Sequence, residues 1–232
     1  MLFKHLLYYK NDSITCIQYV YIPCFSAILI AMIKVVFFDA GGVLHVSNTA
    51  VGDDLRKELH LSAQQIQQIF SYYVPLIGTG KMTEDQFWQA AKEEFAIRDV
   101  SASEHLLTRT FITTLQKMPG VYEYLDELKS QGVAVGLLTN VTPQFADILD
   151  LAGHYDPFEL RILSYEVGIW KPDPAIYNYA LNKAAVSPDE AVLIDDQVPN
   201  IVAADAIGMH GITFTDVAQL KRDVARLIKS VQ

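Results

Sequence analysis

Val35-Val36-Phe37-Phe38-Asp39-Ala40-Gly41-Gly42 is the stretch that decides the fold of this chain. Its first four residues are all apolar, which is typical of a strand buried on both faces of a parallel sheet. The strand delivers the carboxylate of Asp39 into a glycine turn, where the backbone can approach a ligand closely. An aspartate presented in this way is suited to act as a nucleophile. One aspartate after a strand proves little, so the interpretation depends on the rest of the chain.

Further apolar runs alternate with helical patterns along the chain. The runs lie at residues 133–138, 162–163, 191–194 and 212–214. A capping residue followed by proline, at Thr142-Pro143 and at Asp173-Pro174, marks the start of two of the helices. Strand–helix alternation of this kind predicts an α/β fold with a doubly wound parallel sheet and right-handed crossovers.

Residues 49–118 interrupt this alternation, because they contain helical patterns and no apolar run that predicts a strand. Capping boxes that start at Ser62, Thr83 and Ser101 predict three helix beginnings in this region. We predict an α/β catalytic core at residues 32–48 and 119–232, with a small helical cap at 49–118. Because the insert leaves the sheet after its first strand, we expect the cap to cover the carboxyl end of that strand.

The composition excludes several classes of function. The chain has 232 residues, of which 51% are hydrophobic and 19% charged, so it supports a sizeable core and is not disordered. Its net charge is −9 and it has no Lys/Arg cluster, which argues against nucleic acid as a partner. Both cysteines, Cys16 and Cys24, lie in the first 31 residues. The remainder therefore has no disulfide, thiol nucleophile or cysteine zinc site.

Residues 1–31 form a hydrophobic N-terminal extension. Lys4 and Lys10 precede an apolar stretch, as they would in a signal sequence or a membrane anchor. The stretch has no convincing cleavage site and enters the first core strand without a spacer. We interpret it as a non-native or non-essential extension of a cytoplasmic protein with no membrane partner; a targeting segment is the alternative.

Polar side chains follow four of the predicted strands: Asp39, Thr139-Asn140, Lys171 and Asp195-Asp196. The carboxyl ends of parallel strands lie at one edge of the sheet, where such sheets bind ligands. Three carboxylates in one place require a cation, and oxygen ligands suit Mg²⁺. Lysine, hydroxyl and amide donors suit a phosphoryl group. The set predicts hydrolysis of a small phosphomonoester, with Asp39 carrying the phosphoryl group as an aspartyl-phosphate before water releases it.

The chain resembles the haloacid dehalogenase (HAD) superfamily of hydrolases over nearly all of residues 32–216. The order and spacing of four motifs carry the resemblance, and the helical insert resembles the small cap of that superfamily. The motifs are Phe38-Asp39-Ala40-Gly41-Gly42-Val43-Leu44, Leu137-Leu138-Thr139-Asn140, Lys171-Pro172-Asp173-Pro174 and Ile194-Asp195-Asp196 with Asn200.

The resemblance implies a role for each residue of the site. Asp39 is the expected nucleophile and a metal ligand, together with the backbone carbonyl of Gly41 and the carboxylate of Asp196. Asp195 is expected to bind through water or to support a ligand, and Asn200 to orient the metal side of the site. The expected partners of the phosphoryl oxygens are Thr139, Asn140 and Lys171.

Gly41 departs from the pattern of most phosphatases in this superfamily, which place a proton-donating aspartate there. Some members resembling sugar-phosphate phosphatases also have glycine, so a sugar phosphate is one expected substrate. We hypothesise that the enzyme favours leaving groups that need little protonation, or borrows an acid from the cap, the substrate or metal-bound water. His45 is near enough in sequence to be considered, although a solvated or capping histidine is the more ordinary interpretation.

Two other functions remain open at this point. A metal-independent 2-haloacid dehalogenase also lacks the second aspartate, but it leaves the Asp195-Asp196 pair unexplained. A non-catalytic binding protein on the same fold is supported by Gly41 alone. Chelation by EDTA discriminates the phosphatase from the dehalogenase.

Overall fold

A computed structural model describes residues 32–46, 51–97, 107–108 and 115–229 of the chain. The N-terminal extension and the capping box predicted at Ser101 lie outside these described residues. Within the described ranges, no helix has both the length and the apolar character needed to cross a bilayer.

Five parallel strands form one sheet in the order β3-β2-β1-β4-β5. The strands are β1 (Val35–Phe38), β2 (Ala134–Thr139), β3 (Leu160–Leu163), β4 (Ala191–Asp195) and β5 (His210–Thr213). Each predicted apolar run lies in or overlaps one of them. Phe38 pairs with Leu137 on one side and with Ile194 on the other, so β1 is the central strand. The strand order reverses at β1, which is where an open parallel sheet forms its crevice.

Residues 51–94, in the insert after β1, are largely helical. They contain α1 (Val51–Leu59), α2 (Ala63–Gln68), a π-helical turn (Ile69–Tyr73), α3 (Val74–Gly78) and α4 (Glu84–Glu94). The capping boxes predicted at Ser62 and Thr83 are confirmed, because each hydroxyl accepts from the backbone N–H three residues later. The π-helical turn was not predicted. The bounds 49–118 stay a prediction, since both ends lie among residues that the structure does not describe or in irregular chain.

Helices cover both faces of the sheet. In chain order they are α5 (Val121–Ser130), α6 (Pro143–Leu151), the single turn α7 (Ser164–Val167), α8 (Pro174–Ala184), α9 (Val198–Ala206) and α10 (Val217–Lys229). Val36 and Phe38 pack in a layer with residues of α5, α6 and α10. Val35 and Phe37 pack in the other layer with residues of α8 and α9. The all-apolar sequence of β1 thus reflects burial on both faces, and the α/β prediction is confirmed.

Helices α1 to α4 have an apolar core of their own. Leu55, Ile69, Phe87 and Trp88 are fully buried in it. Trp170, from the loop between α7 and α8, packs against this same core. These helices therefore have a core separate from the two layers that cover the sheet.

Candidate active site

The carboxyl edge of the sheet collects the polar residues that the sequence places after the strands. Asp39 follows β1, Thr139 ends β2 and Asp195 ends β4. Asp39, Thr139 and Asp195 are all buried, at 5%, 2% and 0% exposure. Parallel pairing of β1 with β2 and β4 brings these strand ends side by side, as the sequence predicts.

Lys171 joins this group through its ammonium. Its Nζ lies 2.9 Å from Oδ1 of Asp39 and 2.6 Å from Oδ2 of Asp195. It also donates to the carbonyl oxygen of Leu138 at 2.9 Å. Three acceptors match the three protons of an ammonium group, so the buried Lys171 side chain is fully hydrogen-bonded.

Asp195 is held by donors on both of its carboxylate oxygens. Oδ1 accepts from the backbone N–H of Gln197 at 2.8 Å and from Nδ2 of Asn200 at 3.0 Å. Oδ2 accepts from Lys171 and from the same Nδ2 at 3.0 Å. Tyr177 in turn donates its hydroxyl to the carbonyl of Asn200 at 3.0 Å. Asp195 is therefore positioned to orient Lys171, and Asn200 to orient Asp195.

Burial and neighbouring charges have opposite effects on the pKa values of Asp39 and Lys171. Burial raises the pKa of Asp39 to about 6, although Lys171 lowers it. Burial by itself lowers the pKa of Lys171, but the two carboxylates outweigh it and leave that pKa above its usual value. Lys171 is therefore charged at neutral pH, and Asp39 is mostly ionised, which a nucleophile requires.

Three carboxylates of the edge are close enough to share a cation. Asp39, Asp195 and Asp196 each offer an oxygen, and these oxygens lie within 4.8 Å of one another. Among the described residues, Oδ1 of Asp196 is a buried oxygen with no hydrogen-bond partner. Burial, and then the neighbouring Asp195, raise the pKa of Asp196 above its usual value. An oxygen-only donor set with an unpartnered carboxylate fits a hard divalent ion such as Mg²⁺.

The side chain of Asn140 contacts the loop that carries Lys171. Its side-chain oxygen accepts from the backbone N–H of Lys171 at 2.8 Å, and its Nδ2 donates to the carbonyl of Lys171 at 2.9 Å. This two-point contact fixes the loop that carries the lysine. The part of Asn140 that remains a proposed phosphoryl donor is its backbone N–H.

Ser164 is a site residue that the sequence analysis missed. Its buried hydroxyl accepts from the backbone N–H of Val141 at 2.9 Å and donates to the carbonyl of Val141 at 3.1 Å. It thereby fixes the turn that follows Thr139 and Asn140. Ser164 directly follows β3, so the rule that found the other polar residues at strand ends would have found it too.

Gly41 lies in the turn after Asp39 and faces His45. The two residues form an isolated β-bridge. A Cβ built on Gly41 would lie 4.0 Å from Nε2 of His45, so the structure has room for a side chain at this position. His45 is itself buried, and its ring packs edge-on against Phe145 and His154. It is not the solvated histidine that we regarded as the more ordinary interpretation.

We expect the wild type to lose stability more steeply than His45→Phe as the pH falls from neutral. The folded protein keeps His45 uncharged, because burial and then His154 lower its pKa from 6.5 to about 4. Between these values the unfolded chain binds more protons than the folded one, so stability is lost as the pH falls through this range. Relative to neutral pH, the wild type should lose roughly 2 kcal/mol more unfolding free energy near pH 5 than His45→Phe. Urea unfolding at a series of pH values measures it.

The matched control for this experiment is His60→Asn. His60 is exposed and has a left-handed backbone that asparagine tolerates. We expect the stability of His60→Asn to depend on pH in the same way as that of the wild type. Parallel curves for the wild type and His45→Phe would contradict the assignment of a buried neutral histidine.

The loop that carries Lys171 also contacts the helical segment. A Cβ built on Gly78, at the end of α3, would lie 1.9 Å from Cζ3 of Trp170, so the indole ring lies directly against the glycine. Trp170 immediately precedes Lys171 in the chain. Any movement of α3 relative to the sheet therefore changes the packing of a residue adjacent to the buried lysine.

Comparison with known sequences gives a family match over most of the chain. Residues 33–208 match the sequence profile of haloacid dehalogenase-like hydrolases. Sesquiterpene phosphatase astK of Aspergillus oryzae is 28% identical over 200 residues, which cover 84% of this chain and 96% of that protein. Two further curated relatives are longer proteins, and the chain spans 18% and 37% of their lengths.

Solved structures share the fold. A HAD family enzyme from Bacteroides thetaiotaomicron, in complex with magnesium and inorganic phosphate, has a TM-score of 0.65 at 23% identity, over 80% of this chain and 96% of that one. A 2-haloacid dehalogenase from Pseudomonas syringae has a TM-score of 0.57 at 21% identity, over 84% and 99%. At such identities the likeness concerns the fold alone. The choice between phosphatase and dehalogenase therefore depends on the chemistry of the site.

Proposed function

Because this chain belongs to the haloacid dehalogenase-like hydrolases, we propose that it is a Mg²⁺-dependent phosphatase that acts through an aspartyl-phosphate. One observation carries the proposal: a buried lysine bonds Asp39 beside two further carboxylates, of which Asp196 has an unpartnered oxygen. A dehalogenase that needs no metal gives the unpartnered oxygen of Asp196 no use. The name of the relative that is matched over nearly its whole length, a sesquiterpene phosphatase, supports the same reaction.

Asp39 is the proposed nucleophile. One carboxylate oxygen forms a bond to phosphorus while the bond from phosphorus to the leaving oxygen breaks, and the electron pair leaves with that oxygen. Water then forms a bond to phosphorus, and the electrons of the acyl–phosphate bond return to the carboxylate of Asp39. The products are an alcohol and inorganic phosphate.

The proposed ligands of Mg²⁺ are the carboxylates of Asp39 and Asp196 and the backbone carbonyl of Gly41. Asp195 supports the site rather than binding directly, because donors already occupy both of its oxygens. When bound, the ion would supply positive charge next to the phosphoryl oxygens. Asn200 would act through Asp195, whose orientation it fixes.

Two of the proposed phosphoryl donors lie at the end of β2, next to Asp39 in the sheet. They are the hydroxyl of Thr139 and the backbone N–H of Asn140, and the third donor is the ammonium of Lys171. Donors placed in advance at the position of the developing charge stabilise a phosphoryl transition state without reorganisation. Lys171 would contribute its positive charge from its place beside Asp39.

Residues 49–118 would act as a cap that selects the substrate and excludes bulk water. The contact between Gly78 and Trp170 supports this role, because it joins the helical segment to the loop of Lys171. The substrate is a small phosphorylated metabolite, and a sugar phosphate is the first class to test. A sesquiterpenyl phosphate is the second, because of the relative from Aspergillus oryzae.

We expect EDTA to abolish phosphate release, and added Mg²⁺ to restore it. The three clustered carboxylates would repel one another and the substrate phosphate once the cation is removed. Phosphate release from a panel of phosphomonoesters, with and without EDTA, measures this. If the protein releases chloride from a 2-haloacid even in the presence of EDTA, it is a dehalogenase and the phosphatase proposal is wrong. Absence of both activities under all conditions would favour a binding protein.

A further inference from the structure

Cleavage of a phosphate ester leaves an alkoxide unless the leaving oxygen receives a proton in the transition state. A positioned acid typically contributes about 10²–10⁴-fold to the rate of such a step. The benefit is large for simple alcohols and small for leaving groups that are stable as anions. Which protons the site can offer therefore determines which esters it can cleave quickly.

The ammonium of Lys171 is the proton-bearing side chain that contacts Asp39, but its protons are occupied. They are shared among Asp39, Asp195 and the carbonyl of Leu138 at 2.6–2.9 Å. The other bond to the Asp39 carboxylate comes from the backbone N–H of Ala40, which is not an acid.

Two further polar groups of the edge are also committed. The side-chain amide of Asn140 holds the backbone of Lys171, and the oxygens of Asp195 accept hydrogen bonds from Gln197, Asn200 and Lys171. Asp196 belongs to the group of carboxylates that could hold the cation, so it acts there as an acceptor.

The turn after Asp39 has open space at Gly41, where an acidic side chain could stand. Gly41 has no side chain, and among the described residues the ring of His45 is what a Cβ there would approach, at 4.0 Å. That ring is 6% exposed and lies edge-on to Phe145 and His154. Its surroundings therefore favour the uncharged imidazole, which is a poor proton donor.

We propose that this enzyme is selective for phosphate esters whose leaving oxygen departs as an anion: acyl, aryl and anomeric sugar phosphates. This inference rests on the proposed phosphatase function. Asp39 bonds to phosphorus, the leaving oxygen takes the electron pair of the broken bond, and water in bulk solvent supplies its proton after departure. Phosphate esters of simple alcohols are poor substrates for the same reason.

A series of phosphate esters of graded leaving-group acidity tests this selectivity. Acetyl phosphate, para-nitrophenyl phosphate, phenyl phosphate and an alkyl phosphate are compared at saturating Mg²⁺. In the wild type we expect kcat/KM to fall by roughly five- to tenfold for each unit of leaving-group pKa. A hexose phosphorylated at its anomeric oxygen should likewise exceed the same hexose phosphorylated at its primary hydroxyl. Rates that do not depend on the leaving group would overturn the inference and leave the phosphatase standing; no hydrolysis of any ester would overturn both.

Two variants locate the missing proton donor. Gly41→Asp places a carboxyl group in the open space, and we expect it to flatten the dependence by raising the alkyl phosphate rate by about 10²-fold relative to acetyl phosphate. Gly41→Asn is its matched control, since it fills the same space without an acid and should keep the wild-type slope. His45→Phe should also keep that slope. A steeper slope in His45→Phe would assign the acid to His45 and overturn the inference, and the wild-type series stands even if a Gly41 variant does not fold.

Discussion

Asp39→Asn is expected to reduce phosphate release by at least about 10⁴-fold, because an amide cannot form the covalent intermediate on which turnover depends. The substitution keeps the size of the side chain and removes one buried charge. It should therefore leave the fold intact, and burial, which already raises the pKa of Asp39, costs the neutral amide less than the carboxylate. Single-turnover phosphate release with acetyl phosphate measures the effect.

The matched control is Asp126→Asn on the exposed face of α5. It removes the same charge from an exposed position and should retain wild-type turnover. Mass spectrometry of the quenched enzyme gives a second measurement, since the wild type should carry a phosphoryl group and Asp39→Asn should not. If Asp39→Asn melts like the wild type and still turns over substrate substantially, Asp39 is not the nucleophile.

Lys171→Met is expected to have the largest effect on stability, about 3–5 kcal/mol of unfolding free energy, together with loss of activity. The methionine fills the space of the lysine stem but leaves Asp39 and Asp195 as buried charges, with their side chains 8% and 0% exposed. Without the ammonium, the pKa of Asp39 rises further above its present value of about 6. The folded variant then binds more protons than the unfolded chain, so its deficit shrinks as the pH falls.

Chemical unfolding of Lys171→Met at neutral and acidic pH measures both parts of this prediction. The matched control is Lys183→Met, at an exposed position of α8, which should change the free energy of unfolding only slightly. The double variant Lys171→Met/Asp39→Asn should recover part of the lost stability, because one of the stranded charges is gone. A Lys171→Met deficit that is small, or that grows towards acid pH, would show that the ammonium does not compensate these carboxylates.

The strands could be predicted from the sequence where every residue of the run is apolar. β1 matches its predicted bounds, and the run at 191–194 lies within β4. β3 begins two residues before the predicted run, because Arg161 interrupts the apolar pattern and bonds Asp150 at 2.8 Å. β5 begins at His210-Gly211, where burial is only partial and apolar side chains are not needed.

The residues of the candidate site could be predicted because they follow strands, but the contacts between them could not. A motif does not say that Asn140 holds the backbone of Lys171 from 31 positions away, or that Lys171 reaches Asp195 across 24. The contact of Trp170 with Gly78 likewise joins two segments whose sequences carry no sign of each other.

That the polar residues meet at one edge is predictable from the sequence, because apolar runs form buried parallel strands and parallel strands end together. The different roles of these residues follow from three-dimensional contacts: donors satisfy Asp195, Asp196 keeps a buried unpartnered oxygen, and Gly41 lies beside open space. These outcomes depend on the directions of side chains from distant segments, which local sequence patterns do not encode.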